Sequence, residues 1–239
     1  MRVVATIALS VAVTLVVPAI LAVNGLRLVT NDRYVRAVYD RGGVPDDRYG
    51  LKDEERTRLA LLGLRSIEPS SPGVDLLREA RLANGEPAFN SRELTHMEDV
   101  RTAVAHAYRF QAIAVVAIGV LALLFGLLGS MRALVPVSLA RGAVLTVVVA
   151  AVVGVVAATS YDFFETRFHS LFFEGETWRF AETDTLRRLY PDRFWLVTAV
   201  VIGVLSVLQA TVVFVVARLW AHRAGVRKPA RMRARTEGA

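Results

Sequence analysis

Cysteine is absent from all 239 residues. No disulfide, thiolate nucleophile or thiolate metal site can form within the chain, and the redox compartment is left open. Lysine is almost missing as well: of 29 basic residues only Lys52 and Lys228 are lysine. The chain has no Gly-x-Ser-x-Gly elbow, phosphate loop, dinucleotide fingerprint or His-Glu-x-x-His pair, so the hydrolase, nucleotide and zinc-protease chemistries that need them lack support. "GLLGSM" (126–131) is the nearest approach to an elbow, and it fails the spacing. His96 and His169, with Asp99, Glu165 or Glu174, are donors of the kind zinc takes. No spacing among them demands a metal, and none is expected.

Apolar sequence is present in excess. The chain is 54% hydrophobic with a mean hydropathy of +0.43, more than a soluble protein of this length needs. Four uncharged runs, 3–23, 110–130, 142–161 and 194–217, reach the roughly 20 residues that cross a hydrocarbon core. The first exceeds a signal-peptide apolar region and is expected to be a retained anchor. Basic residues then set the orientation. Arg2, Arg132, Arg141 and the tail from Arg218 to Arg235 are strongly cationic, whereas 24–109 is neutral and 162–193 is net acidic. Both termini are thus expected in the cytoplasm and both long segments outside. The net charge of +7 reads as a topology signal that meets lipid headgroups, not as a nucleic-acid surface.

The expected fold is an α-helical membrane protein of four transmembrane helices with a small mixed α/β extracytoplasmic domain. In order, the segments are helix 1 (1–23), the extracytoplasmic domain (24–109), helix 2 (110–130), a cytoplasmic loop (131–141), helix 3 (142–161), an extracytoplasmic aromatic segment (162–193), helix 4 (194–217) and a basic cytoplasmic tail (218–239). In the first outward segment, "DRYVRAVYD" (32–40) alternates as a short strand would. "KDEERTRLALLGLR" (52–65) begins acidic and ends basic, as suits a helix dipole. "SSPGVDLLREARLANG" (70–85) reads as a second short helix, and 85–89 as extended. Asn90 with Glu93 opens a further helix through a capping box, and nothing interrupts it before Gly119 inside the second run.

Two histidines stand out. On the helix opened by Asn90, His96 has Glu93 at i−3 and Asp99 at i+3, on one face. A neighbouring carboxylate is expected to raise the imidazole pKa and fix the ring. A charged surface helix with an incidental histidine fits the same spacing. His169 lies in "RFHSLFFEGETWRF" (167–180), and residues 161–195 carry 11 of the 20 aromatics. Two helix ends at an interface need fewer, so the excess forms an apolar platform that holds lipid chains or packs on the first segment. "EGETWRF" reads as a turn and a short strand. His106 and His222 are expected near headgroups.

"ELTHMEDV" (93–100) and "FHSLFFEGETW…LYPDRFW" (168–195) resemble motifs of the four-span integral membrane family of bacterial lipoprotein intramolecular transacylases. The match extends to the order of anchor, outward domain and three further spans, while Thr95 stands where better-known members are expected to have serine. The resemblance implies transfer of the sn-2 acyl chain of a diacylglyceryl lipoprotein to its own N-terminal cysteine α-amine, giving the lyso form. It implies no cofactor, a diacylated lipoprotein and membrane lipids as partners, and no nucleic acid; the oligomeric state is open. It makes His96 and His169 catalytic. The roles assigned are one neutral imidazole as base and one imidazolium for the oxyanion and leaving group. Glu93, Asp99 and Glu174 become candidates to orient the rings, and Phe172, Phe173 and Trp178 candidates to line the acyl site. Two other readings stay open: another membrane lipid acyltransferase or esterase, and a non-enzymatic four-span protein with an extracytoplasmic binding domain.

Overall fold

The computed structural model describes residues 2–41, 44–128, 131–173 and 175–226. Its elements are all helical: α1 (Arg2–Val29), α2 (Asp32–Asp40), α3 (Asp53–Ser66), α4 (Asp75–Arg78), α5 (Ser91–Leu128), α6 (Leu134–Thr159), α7 (Tyr161–Phe172), α8 (Thr185–Leu189) and α9 (Asp192–Val226). Four of them, over Val3–Val29, Ser91–Leu127, Leu134–Thr159 and Asp192–Ala224, are long and apolar enough to cross a membrane. They extend past the apolar runs because the polar flanks at Arg27, in 91–109 and after Arg218 continue the same hydrogen-bond ladder.

Two compact units divide the chain. The first comprises 1–21, 113–149 and 206–239. Within it Val17, Leu21, Ala143 and Ala210 form a buried cluster, and Ser10 and Ser138 share a 2.8 Å hydroxyl hydrogen bond. A Cβ on Gly142 would lie 2.6 Å from Cβ of Val17, so α1 and α6 touch where only hydrogen fits, as packing between membrane helices favours. Ile7, Val116, Leu123, Val148 and Val212 are exposed, as a lipid-facing surface requires.

The second unit comprises 22–112 and 150–205. Among the described residues it has no strand, only an isolated bridge between Arg81 and Pro87, so the mixed α/β domain is replaced by an all-helical one. The segment 32–40 shows why. Val35 and Val38 are buried, with Tyr34 and Tyr39 packed beside them, an i, i+1, i+4, i+5 pattern that is one helix face. Asn31 caps it by accepting a hydrogen bond from the Tyr34 N–H at 3.0 Å. The segment 176–180 is turn and coil. Residues 80–88 form a small hairpin, with Ala88 N–H donating to Ala80 C=O at 3.0 Å and Gly85 at φ +87° in its turn. The helix expected over 70–85 shrinks to α4, which anchors Leu77 in the core.

Leu59, Leu77 and Leu189, all fully buried, centre this core. Polar bonds tie its rim. Tyr39 Oη donates to Leu189 C=O at 2.6 Å, and Arg56, 2% exposed, donates to the carbonyls of Pro45 and Arg188. Arg188 grips Asp47 through two nitrogens at 3.0 and 2.8 Å. Burial opposes the Asp47 charge, but Arg188 and the N–H groups of Leu51 and Tyr49 overcome it and bring the carboxyl down to about 2.

Candidate functional site

The capping box forms as the sequence predicts: Asn90 N–H donates to Glu93 Oε2 at 2.7 Å and Glu93 N–H to Asn90 Oδ1 at 3.0 Å. From that start Glu93, His96 and Met97 share the buried face of α5, the i, i+3, i+4 neighbours of a helix. The other Glu93 oxygen accepts the Leu186 N–H at 2.6 Å. Asn90 Nδ2 and Arg92 both reach Asp184, at 3.0 and 2.7 Å. The start of α5 therefore holds the turn before α8, and with it Phe180, whose ring meets His96 edge-on at 5.3 Å.

His169 arrives from the other side, in the last turn of α7. The α6 helix ends at Thr159, Ser160 takes a non-helical φ of −153°, and α7 starts again at Tyr161. This break aims His169 at α5. The two imidazole centroids lie 6.0 Å apart, tilted by 36°. Phe173 touches both, at 5.2 Å from His96 and 5.7 Å from His169. Trp178 stacks on His169 at 4.4 Å and 15°.

His169 Nδ1 lies 2.8 Å from the carbonyl oxygen of Glu165. A carbonyl only accepts, so Nδ1 carries the hydrogen and Nε2 of the neutral ring keeps its lone pair. His96 is 8% exposed, and its Nδ1 is buried with no hydrogen-bond partner among the described residues. Burial, and next the neighbouring His169, lower its pKa to about 4. Burial also lowers that of His169, against the opposing pull of the Glu165 carbonyl. The expectation that carboxylates raise the His96 pKa is thus reversed. Glu93 turns both oxygens to backbone N–H groups, and desolvation dominates. Burial thus favours the uncharged form of both rings, and His169 keeps a lone pair on Nε2.

Of the residues singled out from sequence, His96, His169, Phe173 and Trp178 come together. Phe172 is beside them, 53% exposed and packed on Phe168 at 5.0 Å. Glu93 is 1% exposed and acts on the backbone, not on an imidazole. Asp99 is half-buried and bonds to neither ring. Glu174 lies outside the described residues. Phe180 escaped the sequence reading. Its signal was faint: a ring after "ETWR" that only the Glu93 bond to Leu186 places on His96. Thr177 Oγ1 is likewise buried without a partner among the described residues. Among those residues no group of three His, Asp or Glu gathers as metal ligands would.

A profile of the lipoprotein intramolecular transacylase family, Lit, matches residues 73–195, the stretch containing both histidines. The chain is 32% identical over 200 residues to an uncharacterized protein of Aquifex aeolicus (strain VF5), covering 84% of this chain and 88% of that one. Among solved structures, the in meso structure of the membrane-integral transacylase Lit from Bacillus cereus matches with a TM-score of 0.70 at 15% identity, over 91% of this chain and 98% of that one. A point variant of the same protein matches with a TM-score of 0.64 at 14% identity, over 95% and 98%.

Proposed function

The chain belongs to the lipoprotein intramolecular transacylase family, a multi-pass membrane acyltransferase, and we propose that it converts a diacylglyceryl lipoprotein to the lyso form by moving the sn-2 acyl chain to the lipoprotein's own α-amine. The observation that carries this reading is the pair of imidazoles 6.0 Å apart among aromatic rings. Such a site offers proton transfer where acyl chains gather, and the chain has no cysteine or serine elbow to form an acyl-enzyme.

The balance is simple. The amine nitrogen forms a bond to the acyl carbonyl carbon, the bond from that carbon to the glyceryl oxygen breaks, and one proton passes from nitrogen to that oxygen. His169 Nε2, unprotonated because Nδ1 is held by Glu165 C=O, takes the proton from the attacking amine and returns it to the departing oxygen. His96 enters neutral and donates its ring N–H to the oxyanion. A neutral donor suits a buried site, where a standing imidazolium is disfavoured. Acid–base transfer of this kind contributes about 10²–10⁴-fold. Since amine and ester belong to one molecule, the fold has only to hold them in contact, which supplies further several kcal/mol, up to ~10. Glu93 positions the turn that presses Phe180 on His96, while Phe172, Phe173 and Trp178 line the acyl chain. Both termini face the cytoplasm and the histidines the opposite side, by the distribution of arginine.

The test uses a bacterium that lacks N-acylation of lipoproteins and carries a reporter lipoprotein. Mass spectrometry of its N-terminal lipopeptide should show two acyl chains at unchanged total mass, one on the amine. The product should vanish for His96→Ala and His169→Ala at wild-type membrane levels. A free amine with the wild-type chain present refutes the reaction; product from both variants refutes the site.

A further inference from the structure

Twelve residues along α5 from His96, a second polar feature has no part in that chemistry. A cavity of about 610 Å³ in the second unit is lined by Arg27, Thr30, Glu68, Ser70, Tyr108 and Arg109 among others. Arg27 is fixed in place: its guanidinium lies 3.7 Å from the Tyr108 ring centroid, and its Nε donates to Gln111 Oε1 at 2.7 Å. Those contacts use one nitrogen and one face of a group with five donors. Arg109 shares the cavity and, among the described residues, neither guanidinium has a carboxylate partner. The stretch of the lining at Glu68, Pro69 and Ser70 is held as well. Arg101 donates to the carbonyls of Pro69 and Ser71 at 3.3 and 3.1 Å. Gly73, at φ +82°, leaves it room, because a Cβ there would lie 1.5 Å from Arg101 Nη1.

Both cations stand where a spanning helix changes character. Arg27 follows the apolar run of α1 and Arg109 precedes the run that opens at Phe110. Next to them in sequence, Leu28 and Phe110 are 52% and 43% exposed, so bare apolar surface begins within one residue of each arginine. A ligand for this place carries a phosphate at one end and hydrocarbon at the other. Arginine forks match phosphate oxygens, and acyl chains fit against Leu28 and Phe110. Glu68 adds a single negative charge to the same lining and suits a headgroup that bears an ammonium.

We propose that this cavity is a glycerophospholipid headgroup site, in which Arg27 and Arg109 hold the phosphodiester and Glu68 faces an ethanolamine ammonium. The lipid is a bound companion of the fold, not the acyl substrate, and its retention does not depend on the proposed transfer reaction.

The test is native mass spectrometry of the full chain in detergent, without lipoprotein, after addition of phosphatidylethanolamine, phosphatidylglycerol or inorganic phosphate. Wild type should retain phosphatidylethanolamine over phosphatidylglycerol. Arg109→Gln, which removes an exposed side chain, should weaken retention about tenfold through loss of charge-assisted bonds. Glu68→Gln should erase the preference between the two lipids. Equal retention by wild type and Arg109→Gln overturns the site. Displacement of the lipid by an equal concentration of inorganic phosphate overturns a lipid as its occupant, and an unchanged preference in Glu68→Gln overturns the ammonium contact.

Discussion

Replacing Glu93 should unseat the turn that faces His96 without touching either imidazole. Its carboxylate is 1% exposed and is the acceptor for two N–H donors, from Asn90 at 2.7 Å and Leu186 at 2.6 Å. Alanine leaves both donors without that acceptor at about 1–3 kcal/mol each, so Glu93→Ala should lose roughly 2–6 kcal/mol. Glutamine keeps one acceptor oxygen and turns an amide NH2 toward the other donor, so Glu93→Gln should lose about 1–3 kcal/mol. For a chain of this length each kcal/mol moves the melting temperature by about 2–4 °C. Alanine should thus melt roughly 5–20 °C lower in detergent, followed by tryptophan fluorescence. Released from Leu186, the 180–186 turn no longer holds Phe180 on His96, and lyso-form product should fall further than protein level does. A Glu93→Ala variant melting within about 1 °C of wild type and transferring at the wild-type rate refutes the assignment.

The His96 pKa of about 4 against an ordinary 6.5 has a sign that can be checked. Below 6.5 the unfolded chain takes a proton that the folded chain refuses until about 4, so stability is full above that window and falls as pH drops through it, by about 3 kcal/mol in all. His96→Phe should lack this loss, and parallel pH–stability curves for the two proteins count against a buried neutral imidazole. Trp178→Leu removes the ring stacked on His169 and with it the attraction of an aromatic face for the imidazolium formed during transfer. Product formation should drop about 2- to 30-fold at unchanged melting temperature, and a rate equal to wild type removes Trp178 from the site. Gly73→Ala forces a left-handed residue to carry a Cβ against Arg101. It should destabilise the chain by about 2–4 kcal/mol and open the 69–71 turn to protease, whereas an intact turn contradicts the packing. Gly142→Ala meets Val17 and the Thr14 carbonyl and should lower the melting temperature by several degrees, about 1–3 kcal/mol of overpacking.

The parts of this fold readable in the sequence were those with local causes. Four uncharged runs, the Asn90–Glu93 box and the acidic-to-basic gradient of α3 each encode a helix within one continuous stretch of chain. The strand at 32–40 was misread because its alternation is confined to Val35, Arg36 and Ala37, too short a stretch to set a period. The longer spacing of Val35, Val38 and Tyr39 decides for a helix once a core is there to receive them. Motif resemblance paired His96 with His169, which are 73 positions apart, but spacing could not orient them. The break at Ser160 and the reach of Glu93 to Leu186 do that, and both are tertiary facts. The direction of the His96 pKa failed for the same reason: neighbours in sequence were counted as neighbours in charge, while Glu93 turns toward backbone.

The exposed face of α7 has a kinetic meaning. Phe168, Leu171 and Phe172 are 47%, 76% and 53% exposed and share one side of the helix, an apolar face of the kind that settles into the headgroup–acyl boundary. An enzyme of the proposed kind, held there by α7, meets its substrate in two dimensions. What sets the encounter frequency is then the mole fraction of lipoprotein in the leaflet, not its concentration in the suspension. Diluting the bilayer with inert lipid at fixed bulk substrate should slow turnover in proportion, while the step on a bound molecule keeps its rate constant because donor and acceptor travel together.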